Sequence, residues 1–180
     1  QDVAAMDGRP VTIRTLDIPG TATGPRVNEF LKGSEGAYGI LVEATMKVFR
    51  HLPENRQRFA VMYPSWNAAI EASREIVQGE FGLPAVYRIS DPEETEIGLK
   101  LKGFDQPLFD RLLRSRGLVA GSRCLCIGTA EGEIGYARHV KKTALAIARK
   151  HGAMSLTGFA TKQWEHGRYS DVHMRDDGLA

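Results

Sequence analysis

Cysteine is nearly absent from the chain: Cys124 and Cys126 are the only two. They stand two residues apart on a predicted strand, so their side chains share a face and a bridge between them has poor geometry. Reduced thiols in a cytoplasmic setting are the expectation, and a two-ligand metal site is disfavoured. An excess of one charge is also missing. With 24 basic and 22 acidic residues and a formal net charge of +2, the balance is too even for the electrostatic footprint of a nucleic-acid binder. No apolar run approaches the length of a membrane span, and Gln1 to Pro10 lack the charged-then-apolar order of a signal peptide. Ser34 has no histidine near it in sequence, and His51, His139, His151, His166 and His173 show no metal-ligand spacing. A self-contained hydrolase or metalloenzyme is therefore disfavoured, while self-association into a homo-oligomer stays open. At 180 residues the chain suits one full domain and some extra, not two large ones.

What is present reads, in order, as follows. A polar turn at Asp7 to Pro10 precedes alternating Val11, Ile13 and Leu16, a half-buried strand or hairpin arm. Such a short strand cannot satisfy its own edges, which implies sheet partners outside this stretch and a chain that begins mid-domain. Thr21 to Arg26 is a loop, and Asn28 to Leu31 forms a helical turn. Lys32 to Val48 predicts a glycine turn feeding a buried strand, and Phe49 to Arg58 is a charged connector placing a domain boundary at residues 50/51. From Phe59 onward the pattern is β, α, β, α, α, β, α, β. Strands are predicted at Phe59–Tyr63, Leu83–Ile89, Arg123–Thr129 and Met154–Ala160. The first helix follows Pro64 and Ser65 with Trp66, Ala69, Ile70, Ser73, Ile76 and Val77 inward and Glu71 and Arg74 outward. Asp91, Pro92 and Glu94 cap the second, which runs to about Lys102. Asp105, Gln106 and Pro107 start a third, with Leu108, Phe109, Leu112 and Leu113 as its stripe before Gly117. The fourth, Glu131 to His151, turns Ile134, Ala137, Val140, Ala144, Leu145 and Ala148 inward. Its Arg138, Lys141, Lys142, Arg149 and Lys150 read as a solvated face and C-terminal dipole partners. This order predicts an α+β fold, a ferredoxin-like antiparallel sheet with helices on one face.

The stretch with the most chemical meaning is Gly33-Ser34-Glu35-Gly36-Ala37-Tyr38-Gly39-Ile40-Leu41-Val42-Glu43-Ala44-Thr45. Three glycines within seven residues allow positive φ and let a flat ligand or another backbone lie against the main chain. Spacing alone would equally describe an ordinary turn before a strand. The residue identities resemble the end of the flavin-binding domain in FAD-linked oxidases of the vanillyl-alcohol oxidase type, whose usual wording is GSEGTLG, two aliphatics, then TEAT. A Thr-Gly-Pro and a short helix precede that motif in the family, as Thr23 to Leu31 do here. The resemblance implies FAD as cofactor, contacted by Gly33, Ser34, Glu35, Gly36, Ala37, Tyr38, Gly39, Ile40 and Leu41, mainly through backbone. Ala37 replaces the usual Thr and Tyr38 the usual Leu, so a side-chain hydroxyl is missing while the backbone contacts survive.

The second half resembles the substrate-binding cap of the same oxidases, in particular that of the alkyl-dihydroxyacetone-phosphate synthases and their bacterial relatives. Arg88-Ile89-Ser90-Asp91 matches an Arg, spacer and acid at a strand end, with Asp91 read first as a helix cap. Trp164, Arg168-Tyr169 and His173-Met174-Arg175-Asp176 match a late pattern whose arginine contacts the substrate's anionic group, and His173 stands where an aromatic is usual. The resemblance thus implies a last part of a FAD-binding domain at residues 1–50 and an incomplete cap at 51–180. Arg175 and Arg88 are the implied substrate contacts, with no catalytic residue assigned. The function it implies is hydride transfer from a hydroxy acid or related anionic small molecule to FAD, in an inner slice of a longer enzyme. The family's earlier phosphate-holding segments and its later catalytic tyrosine and histidines have no match, so this stretch by itself is expected neither to hold FAD tightly nor to turn over. Ether formation of the synthase kind, or a non-catalytic α+β binding or regulatory module, are the alternatives.

Overall fold

The computed structural model describes residues 2–4, 10–16, 18, 20, 22, 24–104 and 106–168. It divides into two compact units, Gln1–Phe49 and Arg50–Ala180.

In the first unit, β1 (Asp2–Ala4) and β2 (Pro10–Thr12) form an antiparallel hairpin with Asp2 opposite Thr12. Ile13 and Leu16, expected to continue that arm, lie outside both strands and are exposed. The helical turn is present as α1 (Val27–Leu31), which leads into the glycines. The buried strand expected after them is not formed. Beyond an isolated bridge at Ile40, residues 41–50 have no regular structure, and Val48 and Phe49 are 81% and 83% exposed. A β-branched run has the propensity for a strand, but a strand exists only when its N–H and C=O groups find a neighbour. Among the described residues this run finds none past Ile40.

The second unit is the predicted α+β layer. After a 3-10 turn at Pro53–Asn55, its elements are β3 (Gln57–Tyr63), α2 (Trp66–Gln78), β4 (Val86–Ile89), α3 (Pro92–Leu101), α4 (Pro107–Ser115), β5 (Cys124–Ala130), α5 (Ile134–Lys150), β6 (Met154–Leu156) and α6 (Phe159–Gly167). The four strands pair antiparallel in the order β4-β5-β3-β6. Every residue from Phe59 to Tyr63 is buried, as a central strand covered on both faces requires. On one face Val61, Tyr63, Cys124 and Cys126 pack against Ala69 and Ala72 of α2 and Ala148 of α5. On the other, Met62 packs with Leu99 of α3, Leu113 of α4 and Leu118. The sheet thus carries helices on a second face as well, in addition to the α2/α5 layer that the order of elements calls for. Phe59 lies opposite Gly128, where a Cβ would come within 2.3 Å of the ring, so only glycine lets the ring cross the strand there.

Local signals explain most boundaries. The Ser65 hydroxyl accepts from the Ala68 amide at 3.2 Å and the Asp91 carboxylate from the Glu94 amide at 2.7 Å, each closing a helix N-terminus. Asp105 lies outside the described residues, and α4 starts after Gln106 without a side-chain cap. Several details differ from the expectation. On α2 the buried face is Ala69, Ala72 and Ile76, while Trp66, Ile70 and Val77 remain 42%, 41% and 62% exposed. Small alanines let the helix sit close to the sheet, which turns the larger side chains outward. On α4 only Leu113 is buried and Phe109 half-buried, and Leu108 and Leu112 face solvent. The last strand stops at Leu156, and Ala160 belongs to α6. That helix is tied to the central strand by the Thr161 hydroxyl, which donates to the Phe59 carbonyl at 2.6 Å, and by the Arg58–Glu165 pair at 2.8 Å.

Candidate functional site

The flavin-facing candidates Gly33 to Leu41 lie together as one turn in the first unit. Gly33, Gly36 and Gly39 have φ of 72°, 88° and 139°, and Glu35 also sits at a positive φ of 49°, a conformation glycine adopts without steric cost. The turn is closed from within: the Ala37 amide donates to the Ser34 carbonyl at 2.8 Å and the Gly39 amide to the Gly36 carbonyl at 3.2 Å. The amides of Glu35, Gly36 and Tyr38 have no protein acceptor among the described residues. A Cβ on Gly36 would meet nothing within 4 Å, so the space over that position is open. Unspent donors beside a glycine with clear space above it fit the edge of a flat, acceptor-rich ring, which is the test FAD has to pass here.

The second unit holds Arg88 on β4. It is ion-paired with Glu94 on the first turn of α3, and both side chains are 46% exposed. Asp91 is the cap of α3, as its sequence position indicates. The register places Arg58 opposite Thr129 and Thr129 opposite Val86, with Ala60, Ile127 and Arg88 aligned two residues further along. Alternation of side chains then sets Arg58 and Arg88 on one sheet face, the one that also bears Met62. The Thr129 hydroxyl on that face is buried and has no hydrogen-bond partner among the described residues. Arg58 on that face is paired with Glu165 of α6 at 2.8 Å. Arg175 lies outside the described residues.

Other buried polar groups are structural. The Arg123 side chain is only 4% exposed and grips Glu96 through two bonds of 2.7 and 3.0 Å, and Asp110 at 2.8 Å. Burial disfavours the Asp110 carboxylate, but bonds from Arg123 and Arg114 outweigh that and hold it below its usual range. Tyr63 and Tyr87 share a hydroxyl hydrogen bond of 3.0 Å. Burial pushes Tyr63 up to about 12 and the neighbouring Cys126 thiol also to about 12. Cys126 therefore stays a neutral thiol near pH 7 and is no nucleophile. Among the described residues no group of histidine, cysteine and carboxylate side chains could hold a metal, and no helix is long and apolar enough to cross a membrane.

No protein-family model matches the chain. It is 28% identical over 184 residues to alkyldihydroxyacetonephosphate synthase of Dictyostelium discoideum, covering 96% of this chain and 30% of that protein. An uncharacterized FAD-linked oxidoreductase of Escherichia coli is 28% identical over 81 residues, which is 45% of this chain and 16% of that one. A solved structure of alkyldihydroxyacetonephosphate synthase superimposes with a TM-score of 0.66 and 26% identity, across 97% of this chain and 32% of the other. The chain thus spans under a third of the length of these relatives. It is homologous to alkyldihydroxyacetonephosphate synthase and to a bacterial FAD-linked oxidoreductase, which accords with the resemblance to FAD-linked oxidases in its sequence.

Proposed function

We propose that the chain is part of an FAD-dependent oxidase or dehydrogenase acting on a hydroxy acid or related anionic small molecule. The observation that carries this reading is the likeness of 97% of the chain to a synthase structure, joined to a glycine turn with open space and unspent amides. When bound, FAD supplies a hydride acceptor. The protein's own part is positional. The amides of Glu35, Gly36 and Tyr38 would hold the flavin by hydrogen bonds, and Ala37, Ile40 and Leu41 would line it without charge. Arg88 and Arg175 orient the substrate's anionic group, because a planar guanidinium matches a carboxylate or phosphate at two points. Arg88 already binds a carboxylate, that of Glu94, which an incoming anion can replace.

A second reading, ether formation of the synthase kind, is favoured by the likeness to alkyldihydroxyacetonephosphate synthase across 96% to 97% of this chain. The two share flavin and an anionic substrate and differ in the reaction. Gly36→Val tests the part they share. Its β-branched side chain is strained at a φ of 88° and fills the space over the turn. In the longer enzyme of which this chain is proposed to be part, flavin binding, followed by fluorescence, is expected to weaken about tenfold or more, a loss of about 1.4 kcal/mol, while the second unit melts unchanged. Equal flavin binding by the variant would contradict the reading.

A further inference from the structure

Helix α5 carries Arg138, Lys141, Lys142 and Arg149 along one side, and these line an open groove of about 340 Å3 together with Leu145 and Gln57 of β3. Many cations elsewhere in the unit have acids, as Arg56 with Glu131, Arg58 with Glu165, Arg74 with Glu71, Arg123 with Glu96 and Asp110, and Lys150 with Glu75, while the exposed Lys100, Lys102, Arg111, Arg116 and Lys162 stand dispersed without one among the described residues. Arg138, Lys141 and Lys142 have no ion pair among the described residues, and Lys141 is partly buried. Among the described residues Arg149 reaches a hydroxyl and no carboxylate, Ser155 on β6 at 3.3 Å. Like charges three and four residues apart repel along a helix, and among the described residues no carboxylate pairs with them.

We infer that this groove is a docking surface for an acidic, extended peptide segment of a partner protein. From Arg138 to Arg149 the helix advances about 16 Å at 1.5 Å per residue, far more than a single phosphate or carboxylate occupies. An extended chain at about 3.3 Å per residue spans that length in five residues and shows alternate side chains to one side. Three carboxylates so spaced meet the Arg138/Lys141/Lys142 cluster and Arg149, while Leu145 accepts the aliphatic stems. A single-stranded nucleic acid has similar charge spacing, but no aromatic side chain lines the groove for its bases to stack on. A lipid surface would call for several apolar anchors beside the cations, and Leu145 is the single large apolar side chain among these lining residues.

Fluorescence anisotropy of a labelled hexaglutamate peptide added to the full 180-residue chain tests this. Saturable binding that weakens about tenfold or more in Lys141→Glu/Lys142→Glu is expected, since removing one partner of a charge-assisted bond costs several-fold, and Arg138→Gln should give a smaller loss in the same direction. Lys100→Glu on α3, which packs on the opposite sheet face, should bind as the parent does, and circular dichroism should show all variants folded. Absence of saturable binding, an equal loss in Lys100→Glu, or tighter binding of an oligothymidylate of the same charge would each overturn the assignment.

Discussion

The two units use apolar residues in opposite ways. In the second, the run Phe59–Tyr63 is fully covered, because partners on both edges and helices on both faces reach it. In the first, the largely apolar run from Ile40 to Phe49, interrupted by Glu43, Thr45 and Lys47, lies open, with Met46 74% and Phe49 83% exposed. The contrast shows that an apolar strand pattern states a capacity for burial, and that ladder neighbours and a facing layer turn the capacity into structure. It also separates the units in what they expose: the second covers its central strand on both faces, whereas the first leaves backbone open at the glycine turn.

Substitutions can break or sharpen this contrast. The largest effect is expected from Met62→Ala in the middle of β3, where a fully buried side chain is removed. Thermal or urea unfolding of the second unit should show a loss of about 3 kcal/mol. Arg123→Leu comes next. It strands Glu96 and Asp110, but these are 25% and 26% exposed, so solvent screens part of the penalty and about 2 kcal/mol is expected. The same clamp has a pH signature. The Asp110 carboxyl is held below its usual range by Arg123 and Arg114 against the opposing effect of burial. Its contribution is therefore complete above the unfolded value of about 3.9 and is lost as pH falls through the lowered folded value. Melting of the parent chain should drop in that acid window by more than melting of Asp110→Asn. The smallest effect is expected from Phe49→Ala, below about 0.5 kcal/mol, because the exposed ring gives up no packing.

How much of this was legible in the sequence differs between the units for the same physical reason. The order of elements from Phe59 to Leu156 follows from local signals that need no partner, such as the Asp91 cap, Pro92 and the alternation between strand and helix periods. Which face of a helix is buried was less legible. Periodicity placed Trp66, Ile70 and Val77 inward, and close packing of Ala69 and Ala72 chose a neighbouring face. Helix α6 is not legible locally, because what holds it, the Thr161 bond to Phe59 and the Glu165 pair with Arg58, joins residues about a hundred positions apart. The glycine turn was legible because positive φ leaves a direct mark on sequence. The strand after it was not, since its formation depends on partners that a linear pattern does not name. Arg88 was visible by resemblance, but its place on one sheet face with Arg58 comes only from the register.

The central claim is that the turn from Gly33 to Leu41 meets flavin through its backbone. The most direct measurement is amide NMR of the labelled chain during titration with FAD. The largest shifts should fall on Glu35, Gly36 and Tyr38, with smaller ones through Leu41, and they should vanish in Gly36→Val. Shifts confined to the second unit, or none at residues 33–41 with FAD in excess, would contradict it.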